Sequence, residues 1–457
     1  MSAESPSVGV EVAPRRGFAN RAELIDHLTA LHPDIVTWGD EVSPIRGGRA
    51  AALEALGKID PPRYERSRNY LNGAVSRLSP YLRHGVLTLA EVRDHALGRV
   101  ERPDDAAKFV NELGWRDYWQ RVYERLGDGI WRDREPYKTG ASARQYATEL
   151  PEEIAEGRTG MACVDGFAHE LRETGYLHNH ARMWLAAYVV HWRKVRWQAG
   201  ATWFLEHLLD GDPASNNLSW QWVASTFSNK PYFFNRENLE KYTGGQYCRS
   251  CPLKGRCDFE GSYDRLEQRL FPHGVQPGDG PAGNDDRVLG RNGNPAHPRK
   301  TDLPYSKADP VLIWVHEDAL NPQAKVFRTY PEAPALFVWD DSHLRDLRAP
   351  YSFKRLVFLA ECVEELPNTV EVARGEPASL LAQAIARVGA KRLVVADTIN
   401  PRVHEILNQV EKTARVPVEI LSEDPFLPYD GPMDLKRFSR YWRTAERYAM
   451  GVGGGRP

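Results

Sequence analysis

The 457-residue sequence lacks the features that mark membrane and secreted proteins. It has no run of ~18 apolar residues, so we predict no transmembrane helix and no membrane association. Its first residues, MSAESPSVGVEVAPRRG, lack the basic-then-apolar order of a signal peptide. Five cysteines are too few for a disulfide framework in so long a chain. A reducing, cytoplasmic setting is therefore expected.

A strong charge of one sign is also missing, because the formal net charge is −2. The chain as a whole therefore creates no field that would attract nucleic acid, although a local basic face stays open. No internal repeat is visible. The length itself predicts two or three domains at about 150 residues each.

The character of the sequence changes along the chain and divides it into five parts. Residues 1–17 are predicted to be a disordered N-terminus, and residues 18–271 carry apolar side chains at the three-and-four spacing of an all-α domain. Residues 272–309 are rich in Pro, Gly, Asn and Asp, which is typical of a linker. Residues 310–429 alternate short apolar runs with helical stretches, and residues 430–457 form a basic, aromatic C-terminal segment.

The second half is predicted to be an α/β domain of the Rossmann-like, doubly wound type. The runs PVLIWVH, PALFVWDD, TVEVAR, KRLVVAD and VPVEIL have the β-branched and aromatic composition of buried strands. Their alternation with helical stretches favours a parallel sheet covered on both faces. The predicted fold class is therefore multi-domain, with an all-α domain followed by an α/β domain.

The stretch AVSRLSPYLRHGVLT, residues 74–88, carries hydroxyls and a guanidinium near a helix start. Ser79 followed by Pro80 indicates an N-cap and a first helical position. Ser76, Arg77 and Ser79 would then surround free N–H groups that suit a phosphate. An ordinary capped helix is the alternative.

In NELGWRDYW, residues 111–119, polar and aromatic side chains fall on one helical face. Glu112, Trp115, Arg116 and Trp119 share it by three-and-four spacing. An acid beside an indole could hydrogen-bond and stack a planar base. The alternative is an amphipathic helix with an intrahelical ion pair between Glu112 and Arg116.

The stretch TGYLHNHARMWLA, residues 174–186, places Asn179, Arg182 and Met183 on one helical face. His178 and His180 flank this face, but two histidines at i and i+2 do not point the same way on a helix. A metal site at this pair is therefore discounted.

The stretch DGDPASNNLSWQW, residues 210–222, combines two acids, an Asn-Asn pair and two indoles. Asp210, Asp212 and Asn216 could present acceptors and an amide to one polar ligand. Trp220 and Trp222 would stand behind them, and a tryptophan close to a redox cofactor can pass an electron.

Taken together and in this order, these stretches resemble the FAD-binding catalytic domain of the photolyase/cryptochrome family. The family pattern TSxLSPYLxxGxLS, NELxWREFY, TGxPLVDAAMRxLxxTGWMHNRxRM, DWxxGxxYF and DxDxAxNxxxWQW aligns with five stretches between about residues 60 and 235. Val75 replaces the threonine that opens the first motif, so one phosphate-binding hydroxyl is lost.

The resemblance implies roles for the matched residues. FAD would be held by Tyr64, Ser76, Arg77, Leu78, Ser79, Arg116, Asn179, Arg182, Asp210, Asp212 and Asn216. A flipped pyrimidine dimer and its DNA would contact Arg68, Glu112, Trp115, Asn179, Met183 and Trp222. Glu112, Asn179, Trp220 and Trp197 would take catalytic or electron-transfer roles. Trp131, Trp192 and Trp203 are candidates for a third tryptophan of the electron-transfer chain.

The implied activity is light-driven repair of cyclobutane pyrimidine dimers by a DNA photolyase acting as a monomer. Excited, reduced FAD would supply the electron. Relatives that repair the other major photoproduct place a histidine where this chain has Asn179, which favours cyclobutane dimers. A cryptochrome-like blue-light photoreceptor without repair activity is the main alternative, and a light-independent iron-sulfur flavoprotein is a further one.

Three of the five cysteines are crowded into YCRSCPLKGRC as Cys248, Cys251 and Cys257, a metal-ligand spacing. Cys163 lies in TGMACVDGF, where iron-sulfur bacterial photolyases and cryptochromes place a ligand cysteine. The resemblance therefore implies a [4Fe–4S] cluster on these four, with zinc as the rival and a metal-free group as a third possibility. Cys362 is expected to be a core cysteine.

The order of the domains is reversed relative to the family, in which the α/β domain comes first. VLIWVHEDALNP resembles the opening of that domain, and DPFLPYDGPMDLKRFSRYWRTAERY resembles the segment that follows it. The sequence is therefore interpreted as a circular permutation cut between the domains. An antenna chromophore stays unknown, although Asn400-Pro401 would place a possible ligand site after a strand, with a plain capped helix as the alternative.

Overall fold

Helices form most of the first half of the chain in the computed structural model, which describes residues 12–36, 42–275 and 309–451. The α-helices are α1 (Arg21–Leu31), α2 (Arg49–Gly57), α3 (Pro61–Ser67), α4 (Ser79–Arg83), α5 (Leu89–Gly98), α6 (Ala107–Leu126), α7 (Glu152–Ala155), α8 (Ala162–Thr174), α9 (Asn179–Ala187), α10 (Trp197–His207), α11 (Pro213–Ala224), α12 (Arg236–Thr243) and α13 (Tyr263–Leu270). A single π-helical turn, Tyr188–Trp192, continues α9.

Five parallel strands form one sheet in the second half. They are β1 (Val311–Val315), β2 (Ala335–Asp340), β3 (Val370–Gly375), β4 (Arg392–Ala396) and β5 (Val418–Leu421), in the order β3-β2-β1-β4-β5. Each arises from one of the five apolar runs, so the prediction of a parallel sheet is confirmed. The helices of this half are α14 (Lys325–Thr329), α15 (Asp341–Leu344), α16 (Phe353–Glu364), α17 (Pro377–Val388), α18 (Pro401–Ala414) and α19 (Phe438–Ala449).

Both faces of the sheet are covered, because β1 is buried along its whole length. Leu312 and Trp314 pack in one cluster with apolar side chains of α17 and α18. Ile313 belongs to a second cluster, which continues through α16 into helices of the first half. One apolar core thus joins the two halves, as the near-continuous hydrophobic strands of parallel sheets require.

A buried ionic network reinforces this junction. Arg83, at the end of α4, pairs with Glu317 at 2.6 Å and with Asp318, both of which follow β1. Arg355 of α16 is only 1% exposed and donates to the carbonyl oxygen of Gly211 at 2.8 Å. Arg83 donates to that same carbonyl at 3.0 Å. Arg355 of the second half, together with Arg83, therefore fixes the backbone at Gly211, between Asp210 and Asp212.

The ends of the chain differ in part from the sequence-based prediction. Residues 1–11 and 276–308 lie outside the described residues, and with them most of the predicted disordered start and linker. Residues 12–17 were expected to be disordered, but Arg16 donates to the carbonyl oxygens of Glu364, Leu366, Pro367 and Val370, which satisfies the open end of α16. Within the described residues, no helix has the length and apolar character needed to cross a bilayer.

Candidate functional site

A cavity of about 470 Å³ opens in the helical half and gathers most of the predicted site residues. Its lining includes Tyr64, Arg68, Ser76, Arg77, Leu78, Ser79, Glu112, Trp115, Arg116, Asn179, Arg182, Met183, Asp210, Asn216, Trp220 and Trp222. The volume lies within the usual range for cofactor and ligand sites. Asp212 and Trp197 lie outside this lining.

Asp210 and Arg182 form the best-defined polar contact of the cavity. The guanidinium donates to both carboxylate oxygens, at 3.1 and 2.9 Å, and its Nε donates to the Leu177 carbonyl at 2.9 Å. Burial alone would raise the pKa of Asp210, but Arg182 and a hydrogen bond from Ser79 hold it below its usual value. The pair therefore stays ionised and fixed, as a preformed anchor should be.

Asp212 caps the N-terminus of α11. Its carboxylate accepts from the Ser215 backbone N–H at 3.1 Å, which makes it the N-cap residue. The same carboxylate accepts from Gln120 at 2.7 Å and from Arg116 at 3.4 Å. Asp212 thus joins α6 to α11 and orients Arg116 at the cavity wall.

The backbone around Ser79 departs from the prediction in one respect. The helix α4 begins at Ser79 itself and is preceded by Leu78, without a side-chain cap, so Ser79 is not the N-cap residue. Its hydroxyl lies close enough to Asp210 to help lower the pKa of that carboxyl. Arg77 has a φ of 52°, a left-handed conformation that costs energy in a non-glycine residue.

Asn216 lies near the start of α11, is half-buried and lines the cavity. Its Nδ2 donates to the Ala201 carbonyl at 3.0 Å and to the Asn217 side chain at 3.1 Å. These two bonds fix which way the amide group points. The side-chain oxygen therefore has a defined direction relative to any ligand in the cavity.

The two indoles of α11 differ in environment. Trp220 is 2% exposed and packs on Gly200, where an added Cβ would overlap its ring, and its ring centroid lies 5.0 Å from that of Phe204. Trp222 is half-buried, and its ring centroid lies 5.7 Å from that of Tyr232. Both line the cavity, so the predicted division of roles between them stays open.

Trp197 lies one helical turn before Gly200 on α10, and it is fully buried. Its indole N–H donates to Asp133 at 2.7 Å, a hydrogen bond to a charged partner. Gly200, one turn along the same helix, is the residue of α10 that Trp220 packs on. Among the three candidates for a further tryptophan, Trp131 and Trp192 are partly exposed, whereas Trp203 is 5% exposed.

Glu112 pairs with Lys108 at 2.7 Å and with Arg68 at 3.3 Å. The intrahelical pair with Arg116 that the sequence offered as an alternative does not form, because Arg116 bonds Asp212. Glu112 therefore lies at the cavity wall between two cations.

The other residues predicted for a lesion lie around the same opening. Asn179 is exposed and its Nδ2 lies 3.6 Å from the sulfur of Met183, one turn along α9. Trp115 is stacked at 3.8 Å against Phe438 of the C-terminal helix. The residues predicted to contact a lesion thus line one cavity, although they come from different helices.

Sequence reasoning missed several residues that line the cavity or contact its lining. Tyr176 lies beneath both Arg77 and Arg182, with ring-to-guanidinium distances of 5.4 and 5.5 Å. Gln120 was not singled out, although it lies four residues after Arg116 on the same helical face. The sequence around Phe438 did not indicate a role at the cavity, because Phe438 and its contact partner Trp115 are more than 300 residues apart.

The four predicted ligand cysteines line one small pocket between α8 and α12. Cys163, Cys248, Cys251 and Cys257 share it with the apolar Met161, Leu239, Tyr247 and Phe259 and the basic Arg236 and Lys254. Burial raises the pKa of Cys163, with further contributions from the other three thiols, and raises that of Cys248 to about 11. Among the described residues, no group of three His, Cys, Asp or Glu side chains is arranged to hold a single metal ion.

The remaining cysteine and the histidine pair behave as structural groups. Cys362 is fully buried and its sulfur accepts the Gly48 N–H at 3.1 Å. Burial lowers the pKa of both His178 and His180 to about 4, so both rings are neutral at pH 7. His178 caps α9 through the His180 N–H at 3.1 Å.

A larger cavity of about 1060 Å³ lies between the two halves, at the carboxyl ends of β1, β2, β4 and β5. Asn400 borders it, where the sequence placed a possible ligand site. Its side chain caps α18 through the Arg402 N–H at 3.1 Å and donates to Asp318 at 3.0 Å. The capped-helix interpretation therefore holds for this side chain. Arg116 and Leu82 border both cavities.

Residues 109–263 match the family model described as the FAD binding domain of DNA photolyase. The deoxyribodipyrimidine photo-lyase of Streptomyces griseus is 37% identical over 166 residues, which cover 36% of this chain and 35% of that protein. The helical half is therefore similar to the FAD-binding domain of the photolyase/cryptochrome family. The deoxyribodipyrimidine photo-lyase of Halobacterium salinarum is 33% identical over 198 residues, 41% of each chain.

A bacterial class III photolyase from Agrobacterium tumefaciens is a similar solved structure, 28% identical over 51% of each chain with a TM-score of 0.39. The chain spans about two fifths of the length of the photolyase relatives it matches. The matched family segment contains the walls that α6, α9 and α11 contribute to the 470 Å³ cavity. The matched segment therefore supplies part of the cavity lining, and residues 64–82 supply another part.

Proposed function

We propose that the protein is a DNA photolyase that binds FAD in the 470 Å³ cavity and repairs cyclobutane pyrimidine dimers with light. The observation that carries this proposal is that the residues predicted to bind FAD and those predicted to contact the lesion line one cavity. The anchoring pair of Asp210 and Arg182 lines this cavity, and so do the acid, indole and thioether of Glu112, Trp115 and Met183. A cofactor and a flipped base would therefore meet in one cavity.

The residues present fit the flavin in their chemistry. Arg77, Arg182 and the hydroxyls of Ser76 and Ser79 offer donors to phosphate oxygens, and the fixed amide of Asn216 offers a polar contact to a ring edge. Fully reduced FAD, when bound, supplies the light-driven electron that splits the dimer. The chain itself positions the reactants and excludes water.

Glu112 is proposed to hold a hydrogen bond to the dimer. Its two cationic neighbours, Lys108 and Arg68, keep the carboxylate in place at the cavity wall. Trp115 and Trp222 would contact the apolar faces of the flipped bases, as indoles do in other base-binding sites. Extruding the lesion costs a few kcal/mol, which is less for a base pair already weakened by damage.

The decisive experiment uses purified protein with its flavin chemically reduced. Duplex DNA with one thymine dimer is added, illuminated with blue light, and the remaining dimers are counted. We expect dimers to disappear in the light and to persist in a dark sample. Bound FAD without light-dependent repair would replace this function by a photoreceptor role, and absence of FAD would contradict both.

We also propose a [4Fe–4S] cluster on Cys163, Cys248, Cys251 and Cys257. Its support is that four sulfurs from two distant stretches line one pocket, with Arg236 and Lys254 beside a group that would carry negative charge. A bound metal cation would also favour the thiolate over the neutral thiol at these buried positions.

Iron, sulfide and zinc analysis of the purified protein tests this assignment together with its visible spectrum. We expect a broad brown absorbance that Cys251→Ala removes and that Cys362→Ala retains. The second variant is a matched control, because Cys362 is buried away from the pocket. Stoichiometric zinc without iron would favour the rival ion.

We further propose that the chain is a circular permutation of the family's usual domain order. The support is the sequence order itself, in which the photolyase-like helices precede the parallel sheet. Exposed connections between domains tolerate such cuts, because few contacts cross them.

A further inference from the structure

The last described helix, α19, packs along α6, whose inner face forms a wall of the 470 Å³ cavity. Tyr441 donates to Asp117 at 2.6 Å, and Tyr118 donates to the Leu435 carbonyl at 2.9 Å. A Cβ at Gly114 would overlap the ring of Trp442, so this glycine permits the close approach. The C-terminal segment is therefore built into the helical half.

The first residue of α19 contacts the rim of the cavity directly. Phe438 stacks on Trp115 with ring centroids 3.8 Å apart and planes 9° apart. Trp115 also lines the cavity, so Phe438 covers one part of the indole while another faces the opening. The stack with Phe438 therefore restrains the orientation of the Trp115 ring in the cavity lining.

The opposite face of α19 carries three exposed arginines and one exposed acid, Glu446. Arg440, Arg443 and Arg447 are exposed, and Arg437 lies just before the helix. Arg440 pairs with Asp434 at 3.3 Å, whereas Arg437 and Arg443 make no ion pair in the part of the chain that the structure describes. These two charges are therefore free to meet an anion outside the protein.

We infer that α19 is part of the DNA-binding face. Phe438 is a positioning residue that orients Trp115 toward the lesion, and Arg437 and Arg443 contact phosphates of the flanking strand. The role of Phe438 rests on the proposed function. The phosphate contacts of Arg437 and Arg443 require only that the protein bind DNA, because cations without carboxylate partners displace counterions from the DNA backbone.

The phosphate contacts are tested with Arg437→Gln and Arg443→Gln in the full chain. Binding to undamaged and dimer-containing duplexes is measured by fluorescence anisotropy over a range of salt concentrations. Each variant should weaken binding to both duplexes by the same factor and lower the salt slope by about one. Lys391→Gln, an equal charge change on the exposed loop before β4, should leave both quantities unchanged. Unchanged slopes in both arginine variants would overturn the phosphate contacts.

The positioning role is tested with Phe438→Leu and Phe438→Tyr. The leucine should lower the affinity for dimer DNA about fivefold or more, in line with the loss of an ordered stacking surface. The affinity for undamaged DNA and the FAD content should stay the same. The tyrosine keeps the ring and should restore the preference for the dimer.

The controls separate this inference from the proposed function. A wild-type protein without any preference for dimer DNA would contradict both the proposed photolyase function and the positioning role, while the arginine variants still test the phosphate contacts. A wild type that prefers the dimer, with Phe438→Leu behaving identically, would overturn the positioning role alone. FAD absorbance and the thermal melt of each variant show whether it is folded.

Discussion

At the scale of single residues, two tryptophans that are one residue apart sit in different surroundings. Trp220 is buried between α10 and α11, and its indole nitrogen has no hydrogen-bond partner among the described residues, whereas Trp222 is half-buried and lines the cavity. An electron donor has to be enclosed near the cofactor, and a lesion contact has to be reachable from outside. Both indoles line the cavity, so the division of roles predicted from the sequence stays a prediction that substitutions can test.

Substitutions at these two positions should separate the roles. Trp220→Phe should slow photoreduction of oxidised flavin at least severalfold, because phenylalanine is far harder to oxidise, while repair by chemically prereduced protein is retained. Trp222→Ala should do the reverse, weakening dimer binding by about 1–3 kcal/mol of lost stacking. Flavin absorbance under blue light and dimer-DNA affinity measure the two effects. Equal responses of both variants in both assays would contradict the division.

At the scale of helices and strands, local sequence patterns predicted most elements but not their contacts. The five strands and the helices between them follow from runs of buried residues, whose period is a local property. The docking of α19 on α6 could not be predicted in this way, since Gly114 and Trp442 are more than 300 residues apart. The start of α4 was misplaced by one residue, because Ser79 is itself the first helical residue and the preceding Leu78 has no side chain that can cap the helix.

The start of α11 combines capping with the cavity wall, and substitutions of Asp212 should separate the two. Asp212→Ala removes the side chain that caps α11 and should lower the free energy of unfolding by about 1 kcal/mol. Asp212→Asn keeps a capping oxygen but loses the charge that faces Arg116. We therefore expect near-normal stability and weaker FAD retention for the asparagine, measured by urea unfolding and by flavin release. Full FAD retention in both variants would exclude Asp212 from the cofactor site.

At the scale of the whole molecule, the junction between the halves bears on the proposed permutation. The shared apolar core and the Arg83 network form this junction, and the connecting residues 276–308 are not needed for any of its described contacts. A rearranged chain with residues 309–451 placed before residues 12–275, joined by a flexible linker, should therefore fold and retain FAD. Its flavin content and melting temperature should match those of the natural order within a few degrees. Insoluble, flavin-free protein would show that the present order is required for folding.

The same junction should make the protein sensitive to mild acid. Burial lowers the pKa of His84 to about 3, assisted by the charges of Arg83 and Arg355. His191 and His207, in the helical half, are also lowered to about 3 by burial. An unfolded histidine has a pKa near 6.5, so below that pH the unfolded chain takes up protons that the native chain does not.

Stability should therefore be fully present above pH ~6.5 and should fall with decreasing pH down to the folded pKa values, by up to about 1.4 kcal/mol per pH unit for each such histidine. Carboxylates whose pKa is lowered, such as Asp210, add to this loss only below pH ~4, because their unfolded pKa lies there. Urea unfolding of wild type at pH 7.5, 6.5 and 5.5 isolates the histidines. His84→Gln should show a shallower pH dependence than wild type by about one proton, because the amide cannot titrate. An identical slope would mean that His84 is already exposed to solvent, and that the two halves separate before the rest of the chain unfolds.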